Sequence, residues 1–383
     1  WLVPLTHLFK YHAFEFGPRY AAATGESLIA GYARMPGPRG WALWLLLVGT
    51  VAQGIGVLAA VVGIAAAVLS TFIGHAPFAG FYIALVISTV LLFLLLGGYG
   101  WLDFLNKIMM TVLFLVTVMV FIPASPGPNA FKHFVMPSVP AGSIVVIAAI
   151  LGWMPTGIDV SIWHSLWTLE KHPELASVET SQRRWEIFRI ALMDMRVGYL
   201  LSFVVASVFF LLAGMHLHGT GDAIDGAGFA SSLAKIYTDN IGAWMYYVFM
   251  IAAFTAMYST VYAVMDGFSR SFAETVSTLF PKVRAKWQTK LYWSFVLFTA
   301  AFAFLTLVVL KGKNPVTVVL DVAFLSLCVA PLYCGLNYIC VTRLIKDERF
   351  RPGTLARLLA LAGIIVVGLG TLVCAASKFG LLK

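Results

Sequence analysis

The chain has 383 residues, is 60% hydrophobic and only 11% charged, and has a mean hydropathy of +0.89. A soluble domain carries roughly twice that share of charge, so the composition excludes the soluble classes and reads as a polytopic membrane protein. The net charge of +9 bears on topology before partners, because the basic residues are spread over connections without the aromatic interleaving that single-strand nucleic-acid binders use.

In chain order, residues 1–35 are the least regular. Trp1 to Phe16 is apolar but carries His7, Lys10, His12 and Glu15; Gly17-Pro18 interrupts it, and Thr24-Gly25-Glu26 opens onto a second short helix. Hydropathy alone reads no span here. The four polar residues lie about one helical turn apart and are expected to cluster with one another toward the protein interior. The chain starts at Trp1 without a methionine, and the expectation is a fragment whose N-terminal part is missing.

After the turn Met35-Pro36-Gly37-Pro38, apolar runs of about 20 residues, enough to cross the hydrocarbon, fill the chain. They occupy 41–70, 79–98, 102–123, 143–169, 189–215, 241–268, 289–310, 315–341 and 354–377, and with the first segment make about ten crossings. Residues 216–240, with His216, His218, Asp222 and Asp225, read as a loop bearing a short surface helix from Phe229 to Tyr237. Cys328, Cys334, Cys340 and Cys374 fall in apolar runs without zinc-site spacing and read as packing residues.

Alternate connections differ in charge. One set holds Arg34, Arg39, Lys107, Lys171, Arg183, Arg184 and Arg189, then the groups Arg270–Lys290 and Arg343–Arg357; the other holds Lys132, Lys235, Lys311 and Lys313. The positive-inside rule makes the first set cytoplasmic. The expected location is a cell membrane, the plasma membrane of a prokaryote, and the segment 143–169 then runs from outside to inside.

That segment contains Gly152-Trp153-Met154-Pro155-Thr156-Gly157. Pro155 has no N–H and clashes with the preceding turn. A membrane helix broken in this way leaves bare carbonyls and N–H groups, which is tolerated only where the backbone is buried in protein or lines a cavity. Discontinuous helices near the midplane are how many secondary transporters build ion and substrate sites. No His-Glu-x-x-His, nucleophile elbow or catalytic metal cluster is present in the sequence, so a membrane enzyme is not the reading.

The chain resembles the Nramp family of divalent metal transporters. Arg19-Tyr20-Ala21-Ala22-Ala23-Thr24-Gly25-Glu26-Ser27-Leu28 is similar to the family's Arg-Leu-Gly-x-x-Thr-Gly-x-x-Leu after helix two. Gly100-Trp101-Leu102-Asp103, Leu151-Gly152, His164-Ser165 and Ser259-Thr260 through Met265-Asp266-Gly267-Phe268 match further family positions in order. The resemblance implies an all-α, LeuT-type fold of two inverted repeats in one transmembrane domain over 1–383. Helices two to five of the first repeat then fall on 1–123, the second repeat on 143–341 and an extra helix on 354–377. The first helix, with its Asp-Pro-Gly-Asn motif, is expected to be absent, and Pro126-Gly127-Pro128-Asn129 reads only as a turn in an external loop.

Three departures from the family pattern carry the functional expectation. Counting back from His164-Ser165, the family's Met-Pro-His falls on Gly157, Ile158 and Asp159, with Met154 offering a carbonyl; aligning Met154-Pro155 on the motif instead needs two deletions. In the first register the soft thioether that favours transition metals is replaced by a glycine, which suits a wider, oxygen-lined site for largely hydrated Mg²⁺. The helix-three positions where the family places acids fall on Thr50, Val57 and Ala60, and nearby Gln53 cannot titrate, which speaks against proton coupling. Asp321 is an intramembrane carboxylate near a family site position.

The metal-site candidates are therefore Met154, Thr156, Gly157, Asp159 and Asp321. His164 reads either as a pore or as a packing residue, and Asp194 and Asp266 as structural partners of Arg196 and Arg270. The resemblance points to the divergent magnesium-transporting branch, with Mg²⁺ and Mn²⁺ as cargo, no cofactor, the lipid bilayer as surroundings and no nucleic-acid partner; a monomer is expected. The alternatives are a LeuT-fold carrier for an amino acid or other organic solute, and a proton-coupled Mn²⁺/Fe²⁺ transporter.

Overall fold

The computed structural model describes residues 1–74, 76–78, 80–97, 99–124, 132, 135–137, 139–140, 142–177, 181–217, 228–309 and 315–381. The turn expected at 126–129 and His218, Asp222 and Asp225 lie outside them. The described residues form thirteen α-helices and no strand. They are α1 (Leu2–Thr24), α2 (Leu28–Tyr32), α3 (Trp41–Ile73), α4 (Phe81–Leu95), α5 (Tyr99–Ala124), α6 (Ile144–Trp153) and α7 (Val160–Lys171). Then follow α8 (Ser181–Leu217), α9 (Gly228–Ile241), α10 (Met245–Leu279), α11 (Pro281–Val309), α12 (Pro315–Ile339) and α13 (Thr354–Lys378).

Among the described residues six helices are long and apolar enough to cross a membrane: those over Trp41–Ile73, Gln182–Met215, Met245–Leu279, Trp287–Val309, Val316–Leu344 and Thr354–Lys378. Large apolar side chains such as Val48, Leu115, Leu200, Leu305 and Leu369 point outward, as lipid-facing residues do.

Helix α1 is the exception that organises the rest. The expected interruption at Gly17-Pro18 does not occur, since the helix runs through Pro18 to Thr24 and ends on Gly25 in the left-handed region (φ 73°), whose N–H bonds the Ala21 carbonyl. Ser27 then caps α2 by accepting the Ala30 N–H at 3.3 Å. Gly17 serves packing instead, because a Cβ there would collide with the Ser161 carbonyl of α7. Close approach of this kind is what small residues allow between membrane helices. α1 packs against α6, α7, α8, α12 and α13, and its whole middle is buried. Its charged residues therefore face protein and not lipid, which is why hydropathy missed it.

α3 and α10 pack along each other and, with α11 and α12, complete the main core. A second core lies between α5, α8, α9 and α10, around Val120, Leu212, Tyr237 and Phe249. It corrects the reading of 216–240: the helix there extends from Gly228 to Ile241, and it buries one face, with Tyr237 hydrogen-bonded to Thr117 at 3.0 Å.

Candidate functional site: the broken helix and its buried cation

The expected break is present, two residues later than the sequence suggested. α6 ends at Trp153, residues 154–159 are not helical, and α7 starts at Val160. The Met154–Pro155 peptide is cis. In a continuous helix the Leu151 carbonyl would accept the N–H of residue 155, which Pro155 lacks. Gly152 still belongs to α6, where a Cβ would collide with the Ala323 carbonyl of α12. α6 is thereby held against α12, while α7 packs on α1.

The last carbonyls of a helix have no partner within it and carry a partial negative charge. Here they take a cation from the chain itself. The Lys10 ammonium donates to the carbonyls of Leu151 (3.1 Å), Gly152 (3.0 Å), Met154 (2.9 Å) and Thr156 (3.0 Å). Lys10 is 0% exposed. The Met154 carbonyl, expected to face a polar cavity, faces this ammonium. The expected mutual cluster of His7, Lys10, His12 and Glu15 is thus split. His12 and Glu15 pair with each other at 3.1 Å, His7 bonds the Val3 carbonyl at 2.9 Å, and Lys10 reaches the break.

On the other side of the break Asp159 turns its carboxylate inward, 7% exposed and within Coulombic reach of Lys10 and Tyr333. Gly157 makes room for it, because an added Cβ would sit 2.6 Å from the Asp159 Oδ1. Among the described residues, buried polar atoms with no hydrogen-bond partner include both amide atoms of Gln53 on α3 and the Tyr333 hydroxyl on α12. Each of these residues is 1% exposed, and both flank Gly49, where the Tyr333 hydroxyl fills the place of a side chain. Buried polar groups are nearly always bonded, so an orphaned carboxamide and hydroxyl meeting at Gly49, the hydroxyl within Coulombic reach of Asp159, mark a place prepared for a polar guest. The sequence marks Gln53 only as a group that cannot titrate and Lys10 only as a member of a polar cluster, and it does not single out Tyr333.

The family described as natural resistance-associated macrophage protein-like, Nramp, matches residues 1–376. The chain belongs to the Nramp family. It is 28% identical over 396 residues to an uncharacterized protein of Pasteurella multocida (strain Pm70), covering 100% of this chain and 86% of that one. Its fold is similar to two crystal structures of the Eremococcus coleocola manganese transporter, one a mutant and one in complex with an aromatic bis-isothiourea substituted compound. The TM-scores are 0.63 and 0.65 at 16% and 14% identity, with 99% and 98% of this chain and 81% and 79% of that chain covered. MhsT in complex with L-phenylalanine is similar at a TM-score of 0.58 and 13% identity, over 98% of this chain and 91% of that chain. The fold is LeuT-type, and this Nramp chain is a multi-pass membrane protein.

In this Nramp chain a cavity of about 420 Å³ leads away from the break between α1, α7 and α8, lined among others by Thr156, His164, Thr168, Asp194 and Tyr199. It extends to Lys171 and His172 at the end of α7. His164 takes part in this lining, and its buried Nδ1 has no partner. Met154, Thr156, Gly157 and Asp159 are brought together at the break, whereas Asp321 is not. Its side chain is 58% exposed and pairs with Lys378 of α13 at 3.1 Å. The reason is rotational, since Asp321 points away from the face of α12 on which Ala323 and Leu327 meet Gly152.

Asp194 pairs with Lys171 at 2.6 Å and not with Arg196, which lies 3.8 Å from Glu15; residues two apart on a helix do not face each other. Asp266 pairs with Arg270 at 2.9 Å and also accepts from Trp167 and Tyr292. Among the described residues no three His, Cys, Asp or Glu side chains converge on one point.

Proposed function

We propose that the protein is a secondary transporter of divalent metal ions working by alternating access, with Mg²⁺ the principal cargo and Mn²⁺ accepted, and without proton co-transport. The observation that carries the reading is the break itself, with the buried Asp159 carboxylate just past it, the Tyr333 hydroxyl within its Coulombic reach, and the unpartnered Gln53 carboxamide next to that hydroxyl at Gly49. These are hard oxygen donors, the set that Mg²⁺ and Mn²⁺ prefer over soft ligands. Membership of the Nramp family and the likeness in fold to a manganese transporter favour the same class.

The absence of coupling is argued from α3. At Thr50, Gln53, Val57 and Ala60 no side chain can carry a proton at working pH. Coupling is also not needed for accumulation, because a divalent ion gains roughly 4.6 kcal/mol per 100 mV of inside-negative potential, twice the single-charge value. A carrier for amino acids is disfavoured: Lys10, the cation at the break that would receive a carboxylate, is spent on four backbone carbonyls.

The test is uptake of Mg²⁺ and Mn²⁺ into proteoliposomes under an imposed potential, with a pH-sensitive dye inside. The proposal predicts saturable, potential-driven uptake of both ions, no competition by an amino-acid mixture, and no metal-dependent acidification. Acidification that rises with added metal would remove the uncoupled mechanism, and absence of metal uptake would remove the substrate class.

A further inference from the structure

A fully buried lysine normally has a carboxylate on it. Among the described residues Lys10 has none within hydrogen-bonding distance. Its four oxygen neighbours, all at 2.9–3.1 Å, are backbone carbonyls. An ammonium has three N–H groups, so four acceptors cannot each receive a full hydrogen bond. The arrangement is that of a point charge in a cage of dipoles, which suits the compact ammonium and not the planar guanidinium.

The cage exists because Pro155 and the break leave the end of α6 without N–H partners, and it would persist without Lys10. The oxygens belong to the main chain, fixed by the packing of Gly152 against Ala323. The site also has an exit. Thr156, one of the four ligands, lines the cavity that leads away from the break, and Lys10 sits on a flexible four-carbon stem.

We propose that the carbonyls of Leu151, Gly152, Met154 and Thr156 form a cation-binding cage of which Lys10 is the tethered resident, displaced toward the cavity that Thr156 lines when a divalent ion binds beside it at Asp159 and restored when that ion leaves. The displacement half rests on the metal-transport reading; the cage half does not. The physical reason for displacement is charge. With the site empty, the Lys10 ammonium and the Asp159 carboxylate offset each other. A divalent ion on Asp159 adds two positive charges within Coulombic reach of a third in a medium of low dielectric. The resident cation then lets the empty carrier return with its cage filled, which is how an uncoupled carrier avoids moving bare dipoles through the closed state.

The cage is tested by thermal melting of purified Lys10→Met, which keeps the length of the stem and removes the charge. Ammonium chloride should raise the melting temperature of Lys10→Met saturably, tetramethylammonium chloride at equal ionic strength should not, and the wild type should respond to neither. Equal responses of the variant to both salts would overturn the cage. The displacement is tested by equilibrium dialysis with Mn²⁺, where Lys10→Met should bind about ten-fold tighter than the wild type because the neighbouring positive charge is gone; equal or weaker binding would overturn it.

If Lys10→Met does not fold, amine labelling of the wild type, read by mass spectrometry, decides both halves. Lys10 should be protected without metal, and its labelling should rise at least about three-fold with saturating Mn²⁺ while that of Lys346 stays constant. Lys10 labelled like Lys346 without metal would overturn the cage, and labelling unmoved by metal would overturn the displacement. A wild type that binds no Mn²⁺ removes the displacement together with the metal reading, and leaves the cage to be decided by the labelling without metal.

Discussion

Helix α1 carries two buried cations, Lys10 and Arg19, 0% and 7% exposed, and they are satisfied in opposite ways. Arg19 donates to Glu15 through Nε (3.2 Å) and Nη2, bonds the Phe350 carbonyl at 2.6 Å, and lies 5.2 Å over the Phe188 ring. Glu15 in turn is held by His12 at 3.1 Å and approached by Arg196 at 3.8 Å. That is a closed ion-pair network, and it fastens α1 to α8 and to the connection before α13. Lys10 has four carbonyls, with the Phe14 ring 5.9 Å from its ammonium, and no anion at hydrogen-bonding distance among the described residues. An ion pair fixes helices because neither partner can leave without stranding the other. A cation held by dipoles alone can be exchanged for another cation, because its ligands stay behind.

The largest effect is expected where the comparison is broken on the Arg19 side. Glu15→Gln leaves a buried guanidinium without its counter-charge, a change that typically costs about 3–5 kcal/mol. Denaturant or thermal melting of the purified variant should show a loss of that order, and added ammonium should not restore it. A loss under about 1 kcal/mol would mean that the network is not a fastening and that the two cations are alike.

Next comes the specificity of the break. Gly157→Met puts a side chain where the Asp159 carboxylate now sits and adds a thioether, a softer ligand that favours Mn²⁺. The ratio of Mn²⁺ to Mg²⁺ uptake should rise by roughly ten-fold, equivalent to about 1.4 kcal/mol. An unchanged ratio in folded protein would count against placing the family's methionine position at Gly157.

The smallest effect is expected at Asp321. Its pair with Lys378 is largely exposed, and such pairs contribute about 0–1 kcal/mol. Asp321→Asn should leave metal uptake unchanged within about two-fold. A loss as deep as that of an Asp159 variant would bring Asp321 back into the site.

These residues also show what a sequence can and cannot disclose. The break was legible because Pro155 forbids a hydrogen bond wherever it stands in a helix, and the apolar runs were legible because lipid contact demands them. Asp159 was legible as an acid just past the break. Lys10 was not assigned, because its segment is too polar to read as a span and its partners lie 141–146 residues away. Gln53 and Tyr333 are marked by the absence of partners, which only coordinates reveal. The placement of Asp321 at the surface was not legible, because helical register fixes depth along the axis, while rotation about that axis decides whether a carboxylate meets the interior or the surface.

The central claim is that a divalent ion is held at the break by Asp159. The direct measurement is Mn²⁺ binding and Mn²⁺ uptake by Asp159→Asn beside Asp321→Asn and wild type, at equal amounts of folded protein. The account predicts that Asp159→Asn loses at least about a hundred-fold in affinity, near the 3 kcal/mol of a charged ligand's hydrogen-bond-scale contribution, and loses uptake with it, while Asp321→Asn matches the wild type. Wild-type affinity and uptake in Asp159→Asn would contradict it.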